Sequence, residues 1–413
     1  MKIAIIGAGV SGNTVAYRLH EKHDITIFEA EDYIGGHVNT IDVVEDESVI
    51  SVDTGFIVFN DRTYPQFTSI LKDLAVPSQA SEMSFSVSCE SSGLEYNGAN
   101  FNKLFCQRSN FFRWSFYQMI YDILRFNHFA PRDLVDADAS TLLCDYLAKN
   151  DYSPQFINQY LLPMCAAIWS ADPMAIEKAP LIFLVRFMEN HGLLSINNRP
   201  QWGVIKGGSK NYINQMASAY SSKIRLSTRV QWVKRFPGFI EIKASGSEVQ
   251  RFDEVFLACH SDQALQLLAD PSPLEKEILG AINYQSNEAI LHTDDLILPR
   301  RKLAWAAWNY YIPKEHDGSA SVTYNMNILQ GLKSKKIYCV TLNDSERIRP
   351  DKIIKRIVYH HPVFTQASMA AQKRHKEISG VNRTYYCGAY WGNGFHEDGV
   401  VSALSAIEGF EEQ

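Results

Sequence analysis

The opening of the chain imposes the strongest constraint on its fold. Residues 3–6 form a short apolar run that ends at a glycine, which predicts a buried parallel strand. Gly7, Gly9 and Gly12 then form the pattern G-x-G-x-x-G. In such a turn the first glycine permits a tight bend, the second lets a pyrophosphate approach the backbone, and the third lets the next helix pack on the strand. The helix predicted over residues 13–22 directs free N–H groups towards the phosphates.

A second predicted strand, over residues 24–29, ends in an acidic residue. This residue, Glu29, follows Gly12 by 17 positions, where it can accept hydrogen bonds from an adenosine ribose. A glycine-rich turn without a ligand is the alternative, but the strand, turn, helix and acid together favour a dinucleotide-binding unit. On these residues alone, NAD and FAD fit equally well.

The residues after Glu29 distinguish between the two dinucleotides. Gly35 and Gly36, followed by His37, resemble the extended fingerprint of the flavin-containing amine oxidase superfamily, in which a glycine pair brings the backbone close to the FAD diphosphate. Many members have arginine where this chain has His37. Residues 52–56, which read VDTGF, resemble a further superfamily element that runs beside the flavin. The resemblance implies FAD, bound non-covalently.

Three segments in the middle of the chain resemble the same superfamily. Residues 206–209 resemble its mid-chain glycine turn. A strand predicted over residues 223–233 is expected to bring the backbone of Val230 to the adenine. Residues 254–259 predict a further strand of the FAD-binding sheet.

The C-terminal segment, residues 385–410, is the most distinctive stretch. The resemblance implies that Gly388 approaches the flavin and that a last helix, from about Val400, points its N-terminus at the flavin pyrimidine. The amides of Gly399 and Val400 would then stabilise negative charge on the reduced ring. Amine oxidases usually have an acid where this chain has Ala389, which departs from the family's ribityl contact. The FAD-binding residues implied by the resemblance are Gly7, Gly9, Val10, Ser11, Gly12, Glu29, Ala30, Gly35, Gly36, His37, Thr54, Gly55, Phe56, Val230, Gly388, Asp398, Gly399 and Val400.

Three further segments narrow the resemblance within the superfamily. Residues 161–173, 289–310 and 391–399 are together similar to bacterial FAD proteins that are often encoded near cyclopropane-fatty-acid synthase-like methyltransferases. This similarity extends over nearly the whole chain. It implies oxidation of a methylated fatty acyl chain, an apolar or lipid acyl substrate, and an acyl-modifying methyltransferase as a partner. Two alternatives stay open: an amine oxidase that acts on a small amine, and a non-catalytic flavin-bearing partner of the methyltransferase.

The resemblance also implies an α/β fold with two interleaved domains. An FAD-binding Rossmann-like domain of the amine oxidase (GR2) type is predicted from residues 1–70, 200–275 and 376–413. An α+β substrate-binding domain is predicted from residues 71–199 and 276–375. With 413 residues the chain is too long for one ordinary core, which agrees with two domains.

His292 and His396 are the candidate acid–base groups, because histidine titrates near neutral pH and could move a proton when a C–H bond is oxidised. A hydrogen-bonded structural role is the alternative for each. Trp391 is the candidate flavin-adjacent aromatic, with core packing as its alternative. For Asp398 we favour a helix cap over a charge near the flavin. Amine oxidases commonly hold a lysine near the flavin in the strand corresponding to residues 286–292, where this chain has none.

Residues 104–126 are dense in aromatic side chains, with three interleaved arginines. A helix that is apolar nearly all round must be buried or must meet an apolar partner. One interpretation is a membrane-surface or lipid-access element with arginines near the headgroups; the other is a core helix with arginines at its wet edge. The basic run at residues 300–302 could meet a lipid phosphate or carboxylate, or could be a solvated loop.

Composition and charge argue against several classes of protein. The formal net charge of −6 gives no electrostatic support for a nucleic-acid partner. The seven cysteines are scattered and form no C-x-x-C pair, which favours reduced thiols over disulfides or a metal site. The longest charge-free run, residues 152–171, is interrupted by polar residues and prolines, which makes it a poor transmembrane candidate. We expect a cytoplasmic protein, with peripheral contact at the inner membrane surface.

Overall fold

A computed structural model describes residues 1–134, 141–195, 199–315 and 321–412 of the chain. The three internal gaps lie within the ranges predicted for the substrate-binding domain. None of the predicted site residues lies outside the described residues.

A five-stranded parallel sheet forms the first layer of the molecule. Its strands are, in spatial order, Ile224–Arg225, Asp24–Phe28, Lys2–Ile6, Glu254–Leu257 and Thr384–Tyr386. The three central strands are buried on both faces, which explains why they are almost continuously apolar in sequence. The ends of these strands therefore meet at one edge, where the glycine turn begins.

The strand predicted over residues 223–233 is in fact two strands in different sheets. The chain leaves the parallel sheet after Arg225 and turns through Ser227, whose φ is +49°. Amides of the turn donate to main-chain oxygens of Glu31 and Glu29 at 2.8 and 2.7 Å. The second strand then belongs to an antiparallel sheet, whose members are Val230–Arg235, Ile240–Ala244 and Gln250–Phe252.

A seven-stranded, largely antiparallel sheet forms the other large layer. Its strands are, in spatial order, Ile353–Val363, Asn283–His292, Cys339–Leu342, Ser321–Asn325, Trp308–Ile312, Phe85–Cys89 and Leu94–Asn97. Two smaller sheets connect the layers. They consist of Thr40–Glu45 with Ser48–Asp53, and of Val58–Asn60, Trp202–Ile205 and Ser78–Ala80.

Helices surround both sheets. The α-helices are Val10–Leu19, Pro65–Asp73, Phe101–Leu104, Trp114–Asp133, Leu143–Lys149, Pro154–Phe156, Leu162–Trp169, Pro173–Glu177, Leu181–Asn190, Lys210–Ala217, Ser261–Leu267, Pro273–Gly280, Met326–Leu329, Gln366–Gln372 and His396–Glu411. Short 3-10 helices occupy Arg108–Phe112, Ser218–Lys223, Asp295–Ile297, Lys302–Ala304, Ser345–Arg347, Pro350–Lys352, His375–Glu377 and Ala389–Trp391, and a π-helical turn occupies Ile157–Leu161. Among the residues that the structure describes, no helix combines the length and the apolar character needed to cross a bilayer.

Two helix boundaries differ from the prediction in ways that affect the site. The first helix begins at Val10, directly after the extended residue Gly9, and ends at Leu19. The last helix begins at His396 rather than near Val400. A polar cap at Asp398 allows this earlier start, because its carboxylate accepts the amide of Phe395 at 2.8 Å.

Candidate active site

One large cavity, about 1690 Å³ in volume, lies between the parallel sheet and the seven-stranded sheet. Its volume exceeds the range of roughly 300–1,000 Å³ typical of a site for one small ligand. One part of the wall, which we call the glycine region, is built from Gly7, Gly9, Glu29, Gly35, Gly36 and His37. Another part, which we call the aromatic region, is built from Met164, Trp169, Phe187, Trp308, Tyr324, Phe364 and Phe395. The cavity therefore has room for a dinucleotide and a second molecule.

The three glycines of the first turn have different roles. A Cβ atom at Gly7, whose φ is +105°, would lie 2.7 Å from the carbonyl oxygen of Ala258. A Cβ atom at Gly12 would lie 1.9 Å from the carbonyl oxygen of Gly7, because the helix packs directly on the turn. A Cβ atom at Gly9 would meet nothing within 4 Å and would project into open space. Gly7 and Gly12 are thus required by the protein itself, whereas Gly9 leaves room for a ligand.

The second glycine pair packs against this turn. The amide of Gly35 donates to the carbonyl oxygen of Ala8 at 2.8 Å, and Gly35 forms a parallel bridge with Gly9. Gly36, with φ +59°, lies close to Gly9 in the first turn. A Cβ atom added to Gly36 would lie 3.4 Å from the α-carbon of Gly9. Two backbone segments without side chains therefore meet at the cavity, which makes a cradle for a phosphate group.

Glu29 lines the cavity at the end of its strand. Its carboxylate accepts the amide of Ala8 at 2.7 Å and the amide of Glu31 at 2.9 Å. These bonds hold the side chain beside the glycine turn, and each oxygen retains a lone pair that a ribose hydroxyl could use. Val230 lies nearby at a β-bulge and also lines the cavity.

Four histidines lie close together beside the glycine region. The ring of His37 stacks on Tyr359 at 4.8 Å between centroids and lies 5.4 Å from His361 and 6.4 Å from His260. His360 lies 6.3 Å from His260. Burial lowers the pKa of His37 and of His260 to about 4, and that of His361 to about 3. These three rings are neutral at physiological pH, and the sequence did not predict that they would meet.

His396 lies in the cavity wall between the two regions. Its ring stacks on Phe56 with 3.7 Å between centroids, and its Nε2 is hydrogen-bonded to the hydroxyl of Tyr212. Burial lowers the pKa of His396 well below its usual value. The same burial raises the pKa of Tyr212, so the hydrogen bond joins a neutral phenol and a neutral imidazole.

Aromatic rings from distant parts of the chain form the aromatic region. Phe187 lies 4.6 Å from Trp169 and 4.9 Å from Phe395, measured between ring centroids. Trp308 meets Tyr324 edge-on at 4.9 Å. Among the described residues, the only carboxylates that line the whole cavity belong to Glu29, Glu31 and Asp32, close together in sequence beside the glycine turn. The aromatic region therefore offers contact area and no described carboxylate.

Most of the predicted FAD-binding residues lie in the cavity wall. The predicted residues that line it are Gly7, Gly9, Val10, Ser11, Glu29, Ala30, Gly35, Gly36, His37, Thr54, Gly55, Phe56, Val230 and Gly388. Gly12 lies outside the wall and allows the helix to pack, as described above. The remaining three belong to the last helix.

The last helix does not present Gly399 and Val400 to the cavity. The amide of Gly399 donates to Phe395 within the helix, and an added Cβ would lie 2.6 Å from Val10. The side chain of Val400 is fully buried. Because the helix begins earlier than predicted, its first turn is formed by other residues, and the cavity is lined by His396 instead. The predicted cap at Asp398 is confirmed, and burial raises the pKa of its carboxyl to about 6.

Two of the three candidate catalytic residues lie outside the cavity wall. His292 is fully buried in the seven-stranded sheet, where its Nε2 pairs with the hydroxyl of Thr341 at 2.7 Å and its Nδ1 accepts the amide of Asp294. Trp391 stacks near His375 at 4.3 Å and packs on the core behind the parallel sheet. Both therefore have structural roles, which were the alternatives considered for them.

Two buried carboxylates hold the cavity walls together through contacts that the sequence did not predict. Glu397 accepts the amides of Gln66 and Phe67, both at 2.9 Å, and so caps a second helix from the start of the last one. Asp53 accepts the amide and the hydroxyl of Ser209, and its own amide donates to Gln330 at 2.9 Å. Neither pairing can be recognised from a local sequence pattern, because the partners lie far apart in the chain. Within the described residues, no group of three or more His, Cys, Asp or Glu side chains could hold a metal ion.

A family model described as flavin containing amine oxidoreductase matches residues 10–324. The chain belongs to this family, and it is a flavin-dependent oxidoreductase enzyme. This result confirms the amine oxidase-type FAD-binding fold that the sequence predicted. The glycine cradle fits the flavin dinucleotide, because it offers unobstructed backbone where the diphosphate must approach.

Solved structures with low sequence identity share the whole fold. Cyclohexylamine oxidase from Brevibacterium oxydans IH-35A has a TM-score of 0.68 at 15% identity, with 100% of this chain and 99% of that chain covered. Putrescine oxidase bound to putrescine has a TM-score of 0.65 at 15% identity, covering 100% and 99%. A CLA-producing fatty acid isomerase from P. acnes has a TM-score of 0.67 at 15% identity, covering 99% and 98%. A comparison with curated protein sequences gives no match.

Proposed function

We propose that this flavoenzyme oxidises or desaturates a modified, methylated fatty acyl chain, with FAD held non-covalently. The observation that carries the proposal is the composition of the aromatic region. A cationic amine buried there would meet no described carboxylate, and an unpaired buried charge is costly. A methylene chain needs only contact area, which contributes about 0.8 kcal/mol per buried CH₂.

The chain's own residues have separate tasks in this reaction. The glycine region holds the dinucleotide, the aromatic region holds the acyl chain, and the rings of Phe56 and His396 line the wall between them. Bound flavin supplies the redox chemistry by accepting a hydride. Desaturation breaks two C–H bonds and forms one C=C bond, so the substrate loses a hydride and a proton. Bound flavin would then supply the route for the two electrons to oxygen or another acceptor, and the proton would leave to water.

The non-covalent attachment is supported, as far as cysteine is concerned, by the state of the one thiol in the described cavity wall. Cys259 is the only cysteine among the described residues that line it, and burial raises the pKa of its thiol to about 12. A thiol that stays protonated is a poor nucleophile for attachment to the ring. We therefore expect acid precipitation to release all of the FAD into the supernatant; flavin that remains with the precipitate would contradict this part of the proposal.

Three of the similar structures bear on the substrate, and they point in two directions. The fatty acid isomerase indicates that this fold can accommodate an enzyme of fatty acids, while the cyclohexylamine and putrescine oxidases illustrate amine chemistry on the same fold. The association with an acyl-modifying methyltransferase belongs to this proposal too, as the source of the methylated chain. The strand Asn283–His292 carries no lysine, which counts against the amine reaction because the resemblance implies a lysine near the flavin in this strand.

Anaerobic bleaching of the flavin absorbance tests the proposal. Methyl-branched unsaturated acyl lipids are expected to reduce the flavin, with binding that weakens stepwise as the chain is shortened. Primary amines of similar size are expected to leave it oxidised. Rapid reduction by a simple amine with no response to any lipid would establish an amine oxidase instead. Co-purification with the methyltransferase without reduction by either class would indicate the non-catalytic partner.

A further inference from the structure

A cluster of aromatic side chains stands exposed on one side of the molecule. Phe112 is 93% exposed and Trp114 is 81% exposed, and Tyr121 is 62% exposed. Phe101 and Tyr117 are also exposed. We call these five residues the aromatic surface. They are drawn from two short helical turns and the beginning of the helix Trp114–Asp133.

The helix Trp114–Asp133 has two apolar sides, which separates it from an ordinary surface helix. One side buries Phe116, Met119 and Phe126 in the core beside the seven-stranded sheet. On the other side Trp114, Tyr121 and the neighbouring turns of the helix remain in contact with solvent. A surface helix normally carries charged or polar residues on its outer side. The inner side of the helix is therefore part of the core, and the exposed side leaves the membrane-surface interpretation open.

The aromatic surface rests on a well-packed base. The buried ring of Phe105 stacks on Phe111 at 4.2 Å between centroids and lies tilted against Phe101 at 4.9 Å. The hydroxyl of Tyr117 donates to the carbonyl oxygen of Phe111 at 3.1 Å. Arg108 donates to the carbonyl oxygen of Phe105 at 3.0 Å. These contacts hold the backbone that presents Phe112 and Trp114, so the two rings project from a packed support.

The segment that carries the aromatic surface is basic, opposite in sign to the whole chain. Residues 99–121 contain Lys103, Arg108 and Arg113 and no acidic residue, whereas the chain carries a formal net charge of −6. Lys103 is paired with Glu82 at 3.4 Å, which leaves Arg108 and Arg113 as the bases of the segment without a carboxylate partner among the described ion pairs. Aromatic rings mixed with basic side chains suit the interface of an anionic membrane, where rings lie at the headgroup boundary and bases meet the phosphates. The formal net charge of −6 gives no electrostatic support for a nucleic-acid partner at this surface.

We infer that the aromatic surface docks the protein on an anionic phospholipid surface, with Phe112 and Trp114 at the boundary between headgroups and acyl chains. The segment lies next to the cavity wall in the fold. The amide of Gly98, shortly before Phe101, donates to the carbonyl oxygen of Phe85, which lines the cavity. Docking does not require the proposed reaction, since it depends on surface groups alone. If the proposed reaction is correct, docking would also bring the enzyme to a source of acyl chains.

Co-sedimentation of the flavin-loaded full chain with vesicles tests this inference. We expect binding to vesicles that contain phosphatidylglycerol, with at least tenfold weaker binding to pure phosphatidylcholine and release by high salt. The double variant Phe112→Ser/Trp114→Ser should bind at least tenfold more weakly at unchanged flavin content. Leu296→Ser is the matched control, because Leu296 is 73% exposed elsewhere on the molecule and its loss should have no effect.

Two further variants keep the inference testable if the double variant fails to fold. Arg113→Glu should weaken vesicle binding by about fivefold while the aromatic rings stay in place. Trp114→Phe should retain binding but lose the part of the tryptophan quenching that brominated lipids cause. Equal binding to both kinds of vesicle, or vesicle binding unchanged in all these variants, would overturn the inference. So would a dimer of the wild-type chain that the double variant converts to monomer without any effect of lipid.

Discussion

The glycine region and the aromatic region share one cavity but are built in different ways. The glycine region comes from a few short segments in which backbone geometry repeats a known pattern, with Gly9 and Gly35 forming a bridge. The aromatic region comes from helices and strands that are far apart in sequence, such as those holding Trp169 and Trp308. The first region depends on the absence of side chains and the second on their bulk. An added side chain should therefore impair the glycine region, and the removal of a ring should impair the aromatic region.

The largest expected effect comes from filling the glycine cradle. Gly9→Val should give a folded apoprotein without flavin absorbance, because Gly9 has an ordinary extended backbone and its added Cβ meets no protein atom within 4 Å. We expect flavin affinity to fall by at least about 100-fold, which corresponds to roughly 3 kcal/mol. Flavin titration of the purified apoprotein measures this effect.

Gly12→Val is the matched control for this prediction. Its Cβ would lie 1.9 Å from the carbonyl oxygen of Gly7, so we expect loss of soluble protein as well as loss of flavin. Similar thermal unfolding of the two variants would contradict the separate roles that we assign to the two glycines.

Removing a ring should affect the aromatic region and leave the glycine region intact. Trp308→Ala should weaken binding of an acyl substrate by about tenfold, or roughly 1.4 kcal/mol, through lost apolar contact. Flavin content should stay unchanged. Trp305→Ala is the control three residues earlier, because Trp305 lies outside the cavity wall and its indole N–H donates to the carbonyl oxygen of Pro299. Equal losses in both variants would show that Trp308 supports the fold and not the substrate.

The glycine region should also respond more strongly to pH. His37, His260 and His361 have pKa values near 4, 4 and 3 in the folded protein, against about 6.5 in an unfolded chain. Below pH 6.5 the unfolded chain binds more protons, so stability is present above that pH and is lost as the pH falls towards 4. At pH 5.5 we expect a loss of about 1 kcal/mol per histidine in the apoprotein.

Bound FAD should reduce this loss, because its negative phosphates favour the protonated rings near the glycine cradle. Thermal unfolding of apoprotein and flavin-loaded protein from pH 7 to pH 5 measures the effect. If the difference in stability between the two forms stays constant over this pH range, protonation of these histidines is not coupled to FAD binding.

The smallest expected effect concerns the wall between the two regions. His396→Phe preserves a ring against Phe56 and removes the hydrogen bond to Tyr212. Since the pKa of His396 is already far below neutral, we expect flavin reduction by substrate to slow by less than about tenfold and to show no inflection near pH 6.5. A slowing of about 10²–10⁴-fold, which is typical for loss of a general acid or base, would restore His396 as a catalytic residue. Stopped-flow absorbance measures both quantities.

The roles of some residues in the site could be predicted from the sequence, and the roles of others could not. The roles of Gly7, Gly9 and Gly12 followed from spacing, and the cap at Asp398 followed from residue type. The assignment of Gly399 and Val400 to the cavity failed because the helix begins at His396, about four residues before the predicted start, so that both residues lie inside the helix and not at its N-terminus. The interleaved domain ranges stay a prediction, although strands of the parallel sheet come from both ends of the chain.

The sequence by itself determined the dinucleotide turn, the family and the class of cofactor, because these depend on backbone conformations that a few neighbouring residues dictate. Only the tertiary structure decided which other side chains meet at the cavity. It placed His292 in the core and left Trp391 half-buried behind the parallel sheet, away from the cavity wall. It also brought His37 and His361 together, although they lie far apart in the chain. The physical reason is that packing between distant segments is fixed by the shape of the whole core, and no short stretch of residues carries that information.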